Sequence, residues 1–238
     1  MTLSPENLPA ATLIDPPLDQ IDELRASGAD FHRRGWSLGT SSNYSVVLGR
    51  DPLELLVTVS GKDKGKLSRD DFVSVGADGK PCDGSGKKSS AETMLHVVLA
   101  ETLPNVGAVL HTHSVWATVL SDFVAEHLLL EGYEMLKGLD GNTTHETREA
   151  VRVFDNTQDI ATLAEEVRDW LRVTAEEGEP TPHGFLLRKH GLYTWGATVA
   201  DARRQVEVFE FLFECEAQHT LFAQSIRPHR MPEPTTTN

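Results

Sequence analysis

The stretch "VLHTHSVW", residues 109–116, sets two histidines one residue apart at the end of an apolar run. On a strand, positions i and i+2 share a face, so His111 and His113 project together and Thr112 points the other way. Two neighbouring imidazoles are costly as cations and useful as ligands. Neutral histidine nitrogens suit Zn²⁺, whose catalytic sites have three protein ligands and one position open to water or substrate. The pair alone is equally consistent with two histidines at a sheet end making ordinary hydrogen bonds, and a third ligand decides between these readings. His190 stands out, because it too closes an apolar run, "GFLLRKHG", and a glycine follows it. That glycine is expected to let the backbone turn away and leave room beside a metal. His96, four residues after Glu92, reads as a partly buried helix residue. His32, His127, His145, His183, His219 and His229 lie in polar or irregular surroundings. A cupin also uses an HxH pair, but it needs a glutamate shortly afterwards on a strand. Here "SVWATVLS" follows, with no acid and a helical pattern.

Three segments have the composition of anion-binding stretches. "TSSNYS" (40–45) is rich in small polar groups before a strand, "SGKDKGK" (60–66) combines two glycines with three lysines, and "SSAE" (89–92) opens a helix. A helix start offers free N–H groups and a partial positive charge. Each has a plainer reading as well. Ser89 and Glu92 match the S-x-x-E capping box, and "SGKDKGK" fits a solvated loop. "GSGKKSS" is not a nucleotide-binding P-loop, since Pro81 stands at the first glycine position and Lys88 where Ser or Thr must follow the lysine.

The elements that must hold these residues are legible in outline. "LDQIDELRASGADFHRRG" has helical spacing through Ile21, Leu24, Gly28 and Phe31. "NYSVVLG" and "LELLVTVS" read as a hairpin about "RDP", "FVSVG" as a third strand and "ADGKPCDGSGKK" as a long loop or hairpin tip. "SSAETMLHVVLAETLP" reads as a helix, "VGAVLHTH" as a strand and "SVWATVLSDF" as a helix. "VRVFDN" is strand-like, and an amphipathic helix runs through Leu163, Val167, Trp170 and Leu171. "GFLLRKHGLYTWG" reads as two strands about Gly191, and a last helix spans roughly Val199 to Phe222. Helices and strands interleave without a linker or repeat, which implies one α/β domain. Short connections favour a mixed or mainly antiparallel sheet. The expected organisation is a loose arm over 1–17, a single domain over 18–225 and a Pro-rich tail over 226–238.

Composition narrows the class of function. Acidic residues outnumber basic ones 36 to 22, a net charge of −14, so nucleic acid is excluded as a partner by long-range repulsion. Cys82 and Cys215 are far apart and form neither a disulfide framework nor a CxxC site, as expected in a reducing compartment. No apolar run approaches the ~20 residues that span a bilayer, and the N-terminus lacks a secretion signal's basic start and apolar core. The expected location is the cytoplasm, with no membrane partner.

In order, "TSSNYS", an "SG" loop, "SAE" opening a helix, "HTHS" and "RKHGLYTWG" resemble the class II aldolase (aldolase/adducin head) family, from about Ile21 to Phe222. The likeness implies a three-layer α/β/α sandwich around a central, mainly antiparallel mixed sheet, assembled as a homotetramer with active sites near subunit interfaces. It implies His111, His113 and His190 as ligands of one Zn²⁺ per subunit; Fe²⁺, Co²⁺ or Ni²⁺ also suits three imidazoles. It implies Asn43, Ser60, Gly61 and Ser90 as holders of the phosphate of a small sugar-phosphate substrate. The stretches "SAETMLH" and "YEMLKG" resemble the dehydratase branch of the family in particular. That branch removes water from a methylthio-bearing ketose phosphate in methionine salvage, and the likeness implies Glu134 as its acid/base. Without the likeness, Glu134 is simply an i,i+3 partner of Lys137. Glu92 occupies the position of the aldolases' acid/base, so retro-aldol cleavage of a sugar phosphate stands as the alternative activity. A non-enzymatic scaffold is the third reading, and it gives no reason to keep three ligands.

Overall fold

Runs of β-branched and aromatic residues, broken by Gly, Pro and Asp turns, place eight short strands in one sheet. The structure is a computed structural model and describes residues 18–225; the expected arm and tail lie outside the described residues. The elements are α1 (Leu18–Arg33), β1 (Asn43–Arg50), β2 (Leu53–Thr58), β3 (Phe72–Gly76), α2 (Thr93–Thr102), β4 (Ala108–Thr112), α3 (Val115–Phe123), β5 (His127–Glu131), β6 (Arg148–Phe154), α4 (Ile160–Glu176), β7 (Gly184–Leu187), β8 (Gly191–Gly196) and α5 (Val199–Ser225). Short 3₁₀ turns occupy Lys64–Lys66 and Glu134–Gly138. The strand order is β3-β2-β1-β4-β8-β7-β6-β5, and only β6–β7 is parallel. This is the mixed, mainly antiparallel sheet that the short connections imply.

Strand parity sorts the core into layers. Ala108 and Leu110 of β4 pack with Ile21, Leu24, Val199 and Val206 of α1 and α5, while Val109 packs with Leu95, Leu99 and Leu163 of α2 and α4. A third cluster joins Ala117 and Leu120 of α3 to Phe209 and Phe213 of α5. Helices α1, α3 and α5 therefore cover one face and α2 and α4 the other, an α/β/α sandwich. Each fully buried Leu, Val or Phe contributes on the order of 1.5–3 kcal/mol, so the central strands form a stiff frame. The same parity puts His111 on the α2 face and Thr112 on the α5 face.

Two local readings differ from the structure. Helix α2 starts at Thr93, and Glu92 makes no side-chain cap there, so the Ser89–Glu92 capping box does not form. Ser90 takes that place, its Oγ accepting from the Glu92 N–H at 3.3 Å. Strand β5 is absent from the elements read in the sequence. Its burial alternates, with Leu128 and Leu130 inside and His127, Leu129 and Glu131 outside, but exposed Leu129 hides the period in a run of leucines.

Candidate metal centre

His111 closes β4, His113 follows it, and His190 lies in the three-residue connection from β7 to β8. The β4–β8 register pairs His111 with Tyr193, which brings that connection to the same end of the sheet. The three Nε2 atoms converge, with separations of 2.7 Å (His111–His113), 3.1 Å (His113–His190) and 3.4 Å (His111–His190). The Nδ1 of His111 is 2.9 Å from the Leu192 carbonyl, and the Nδ1 of His190 is 3.3 Å from Asn156 Oδ1. Both partners can only accept, so both rings carry their proton on Nδ1 and leave Nε2 bare. Burial lowers the pKa of all three rings, that of His113 to about 3; the neighbouring imidazoles add to this for His111 and His113. Bare nitrogens this close repel one another unless a cation stands among them. Three imidazoles on one Zn²⁺ at ~2.0–2.1 Å place their nitrogens ~3.3 Å apart, so the donor set fits one divalent ion, and the three histidines could hold one together.

The loop that carries His190 is held tightly. Arg188 donates to the Ser121, Val124 and Ala125 carbonyls at 2.7–2.8 Å. Lys189 takes the left-handed backbone conformation, φ 55°. Gly191 does not make the turn: a Cβ there would collide with the Thr112 carbonyl oxygen. The glycine after His190 thus serves close strand approach, not space beside the metal.

Glu92 faces the histidines. Its carboxylate oxygens lie 3.3 Å from His190 Nε2 and 3.5 Å from His111 Nε2. Asn43 Nδ2 and the Tyr193 hydroxyl donate to Oε2 at 2.8 and 3.0 Å. Tyr193 also stacks on His111, with ring centroids 3.9 Å apart. Behind Asn43 stands His96, which is wholly buried. Its Nε2–H donates to Asn43 Oδ1, and its Nδ1 accepts from Ser45 Oγ at 2.7 Å. A chain from Ser45 through His96 and Asn43 thus orients Glu92. From sequence His96 reads as partly buried and unremarkable; the signal available is its helical spacing from Glu92.

A cavity of about 130 Å³ opens over the triad, lined by His113, His190, Glu92 and the four residues assigned to phosphate, Asn43, Ser60, Gly61 and Ser90. Gly61 sits at φ 73°, where a side chain is strained. Lys64 and Thr40 to Ser42 also line this cavity; they belong to the anion-binding stretches "SGKDKGK" and "TSSNYS", although the sequence does not mark them individually. Small-molecule sites commonly enclose ~300–1,000 Å³, so this cavity is at the small end for a binding site.

Glu134 is elsewhere. It begins the 3₁₀ turn after β5, is 70% exposed, and pairs with Lys137 and with His145 at 3.5 Å. The Lys137 ammonium lowers its pKa. The end of β5 that leads to it pairs with Arg148, whereas the end of β7 that leads to His190 pairs with Phe154. Those levels are separated by roughly 20 Å of strand. Within one chain the structure brings Glu92, and not Glu134, to the histidines.

Comparison with known proteins identifies the family and the fold. Residues 22–217 match the model of the Class II Aldolase and Adducin N-terminal domain. A methylthioribulose-1-phosphate dehydratase of Pseudomonas syringae pv. tomato is 52% identical over 195 residues, covering 82% of this chain and 92% of the relative. One from Marinobacter nauticus is 50% identical over 194 residues, covering 81% and 89%. Among solved structures, an L-fuculose-1-phosphate aldolase from Thermus thermophilus superposes with a TM-score of 0.69 at 22% identity, over 87% of this chain and 98% of the aldolase. That likeness concerns the fold.

Proposed function

The chain belongs to the class II aldolase and adducin family, and from that membership we propose that it is a hydro-lyase, a zinc-dependent methylthioribulose-1-phosphate dehydratase. The observation that carries this reading is the convergence of the Nε2 atoms of three histidines, those of His111 and His190 bare, beside a carboxylate held in place by Asn43 and Tyr193. The substrate is a ketose phosphate with a methylthio group at its far end, and the products are a diketone phosphate and water. Zn²⁺ held by His111, His113 and His190 supplies Lewis acidity toward the substrate carbonyl and an adjacent hydroxyl oxygen. A carboxylate takes the proton from the carbon between the carbonyl carbon and the carbon that bears the departing hydroxyl. It returns that proton to the hydroxyl, which leaves as water, and the resulting enol becomes the diketone by moving a proton from oxygen to carbon. Asn43, Ser60, Gly61 and Ser90 hold the phosphate.

We assign the proton transfer to Glu134, and its position sets a requirement. It reaches a triad only across a subunit boundary, in the homotetramer that we propose. The small volume of the single-chain cavity and the exposed apolar side chains Val115, Val119 and Phe123 of α3 support such an assembly. No helix among the described residues is long and apolar enough to cross a membrane, and we place the enzyme in the cytoplasm.

One observation favours the second reading, retro-aldol cleavage with Glu92 as acid/base: its carboxylate is already at the histidines. Incubation of zinc-loaded protein with methylthioribulose 1-phosphate separates the two. A diketone with all carbons retained is the expected product; a two- or three-carbon fragment overturns dehydration in favour of cleavage.

A further inference from the structure

The three lysines of "SGKDKGK" have different fates. Lys62 pairs with Asp71 at 2.7 Å and Lys66 with Asp63 at 3.7 Å, both at the surface. Lys64 is 1% exposed, and among the described residues no carboxylate forms an ion pair with it. Its ammonium donates once, to the Lys62 carbonyl at 2.7 Å. An ammonium has three donors, so two remain for other partners. Burying a cation this poorly paired is unfavourable, and burial pushes Lys64 down to about 8 against the opposing pull of Asp63 and Asp71.

The fold holds the lysine there deliberately. Asp63 caps the turn by accepting from Gly65 N–H at 2.9 Å. Gly28 of α1 lets the helix close on the Lys64 carbonyl, where any Cβ would collide, and Gly65 admits the His32 ring in the same way. Lys64 is the only Lys or Arg among the residues that line the cavity over the triad, and Glu92 the only carboxylate. In a chain of net charge −14, this one buried cation gives the cavity a positive pole.

We propose that Lys64 is the cationic anchor for the phosphate of the sugar-phosphate substrate, donating its two remaining N–H groups to phosphate oxygens and so fixing which end of the substrate faces the histidines. The inference rests on the cavity taking a sugar phosphate. It adds to the uncharged donors of Asn43, Ser60, Gly61 and Ser90 the only cationic Lys or Arg side chain that lines the cavity.

The test uses zinc-loaded protein and inorganic phosphate, measured by calorimetry, together with steady-state kinetics. Lys64→Met should weaken phosphate binding tenfold or more and raise KM by a similar factor, with kcat changed less than threefold. Lys64→Arg should recover most of the phosphate affinity. In the unaltered protein, titration with phosphate should shift the ¹⁵Nζ resonance of Lys64, a readout that survives even if Lys64→Met misfolds. Unchanged phosphate affinity and KM in Lys64→Met, a static Lys64 resonance, or a collapse of kcat at constant KM would each overturn the proposal. Phosphate binding is read without turnover, so failure of dehydration with Lys64-dependent phosphate binding intact counts against the proposed reaction only.

Discussion

Glu92 and Glu134 are the same side chain in opposite physical states. Glu92 is braced by Asn43 and Tyr193, which are themselves held by buried His96 and by stacking on His111. Glu134 is exposed, and the ion pairs it makes are with exposed side chains, Lys137 and His145. A braced carboxylate has its geometry prepaid by the fold, whereas an exposed one acquires geometry only when something packs over it. In the function we propose, one chain builds a finished metal corner and an unfinished acid/base. The experiments that break or sharpen this contrast follow in order of expected effect.

The largest effect belongs to the metal corner. His111→Ala should reduce bound zinc to a small fraction of one per subunit. Lewis acidity contributes several kcal/mol to the transition state, so turnover should fall by at least about 10³-fold. Normal metal content in that variant would dissolve the finished half of the comparison.

Next comes the unfinished half. Glu134→Gln should lose turnover by roughly 10²–10⁴-fold, the usual contribution of a general acid or base, while zinc content and the unfolding midpoint stay unchanged. Co-expression of Glu134→Gln with His111→Ala subunits should then restore activity that neither has alone, because a mixed assembly holds some sites with an intact triad from one chain and an intact Glu134 from another. Absence of restoration in verified mixed oligomers would place all the chemistry within one chain and leave Glu92 as the acid/base.

What could be read in the sequence divides along the same line. His111, His113 and His190 were legible because strand parity and apolar runs fix where a strand-end side chain points. The layered fold was legible because helices and strands interleave with short connections. The direction of Glu92 was not, since a capping glutamate and one turned toward the histidines share the pattern S-x-x-E, and only the late start of α2 at Thr93 tells them apart. Nor was the burial of Lys64, because three alternating lysines look alike until α1 closes over one of them. The position of Glu134 relative to the triad depends on the β5–β6 register, and β5 itself was hidden by exposed Leu129.

A smaller, graded effect is expected with pH in the metal-free protein. His96 and His113 are held neutral by burial, each lowered to about 3. In the unfolded chain they protonate near 6.5. Below that pH the unfolded state binds more protons, so stability falls as pH falls from about 6.5 toward 3. Each such histidine contributes up to about 1.4 kcal/mol per pH unit in that window. His183, raised by Glu149 despite its burial, works in the opposite sense: its contribution is present below 6.5 and lost as pH rises through its folded value. The denaturation midpoint of the apo protein should therefore drop between pH 7 and 5, and Ser45→Ala, which removes a partner of His96, should lower it at both pH values. A flat or rising midpoint on acidification would show that these rings are not buried neutral.

The smallest effect is also the one that ranks the two carboxylates most finely. Tyr193→Phe removes one hydroxyl that donates to Glu92 Oε2 at 3.0 Å and keeps the ring stacked on His111. A hydrogen bond to a charged group is worth about 1.5–3 kcal/mol, but Asn43 still donates to the same oxygen at 2.8 Å, which limits how far the carboxylate moves. If Glu92 only shapes the site while Glu134 moves the proton, turnover should fall by about tenfold or less. If Glu92 moves the proton, the reacting oxygen itself loses a brace, and turnover should fall by the ~10²-fold that a small misplacement of a reacting group costs. The comparison that decides is with Glu134→Gln: a Tyr193→Phe loss that approaches it assigns the proton transfer to Glu92, and a loss far below it keeps the assignment to Glu134.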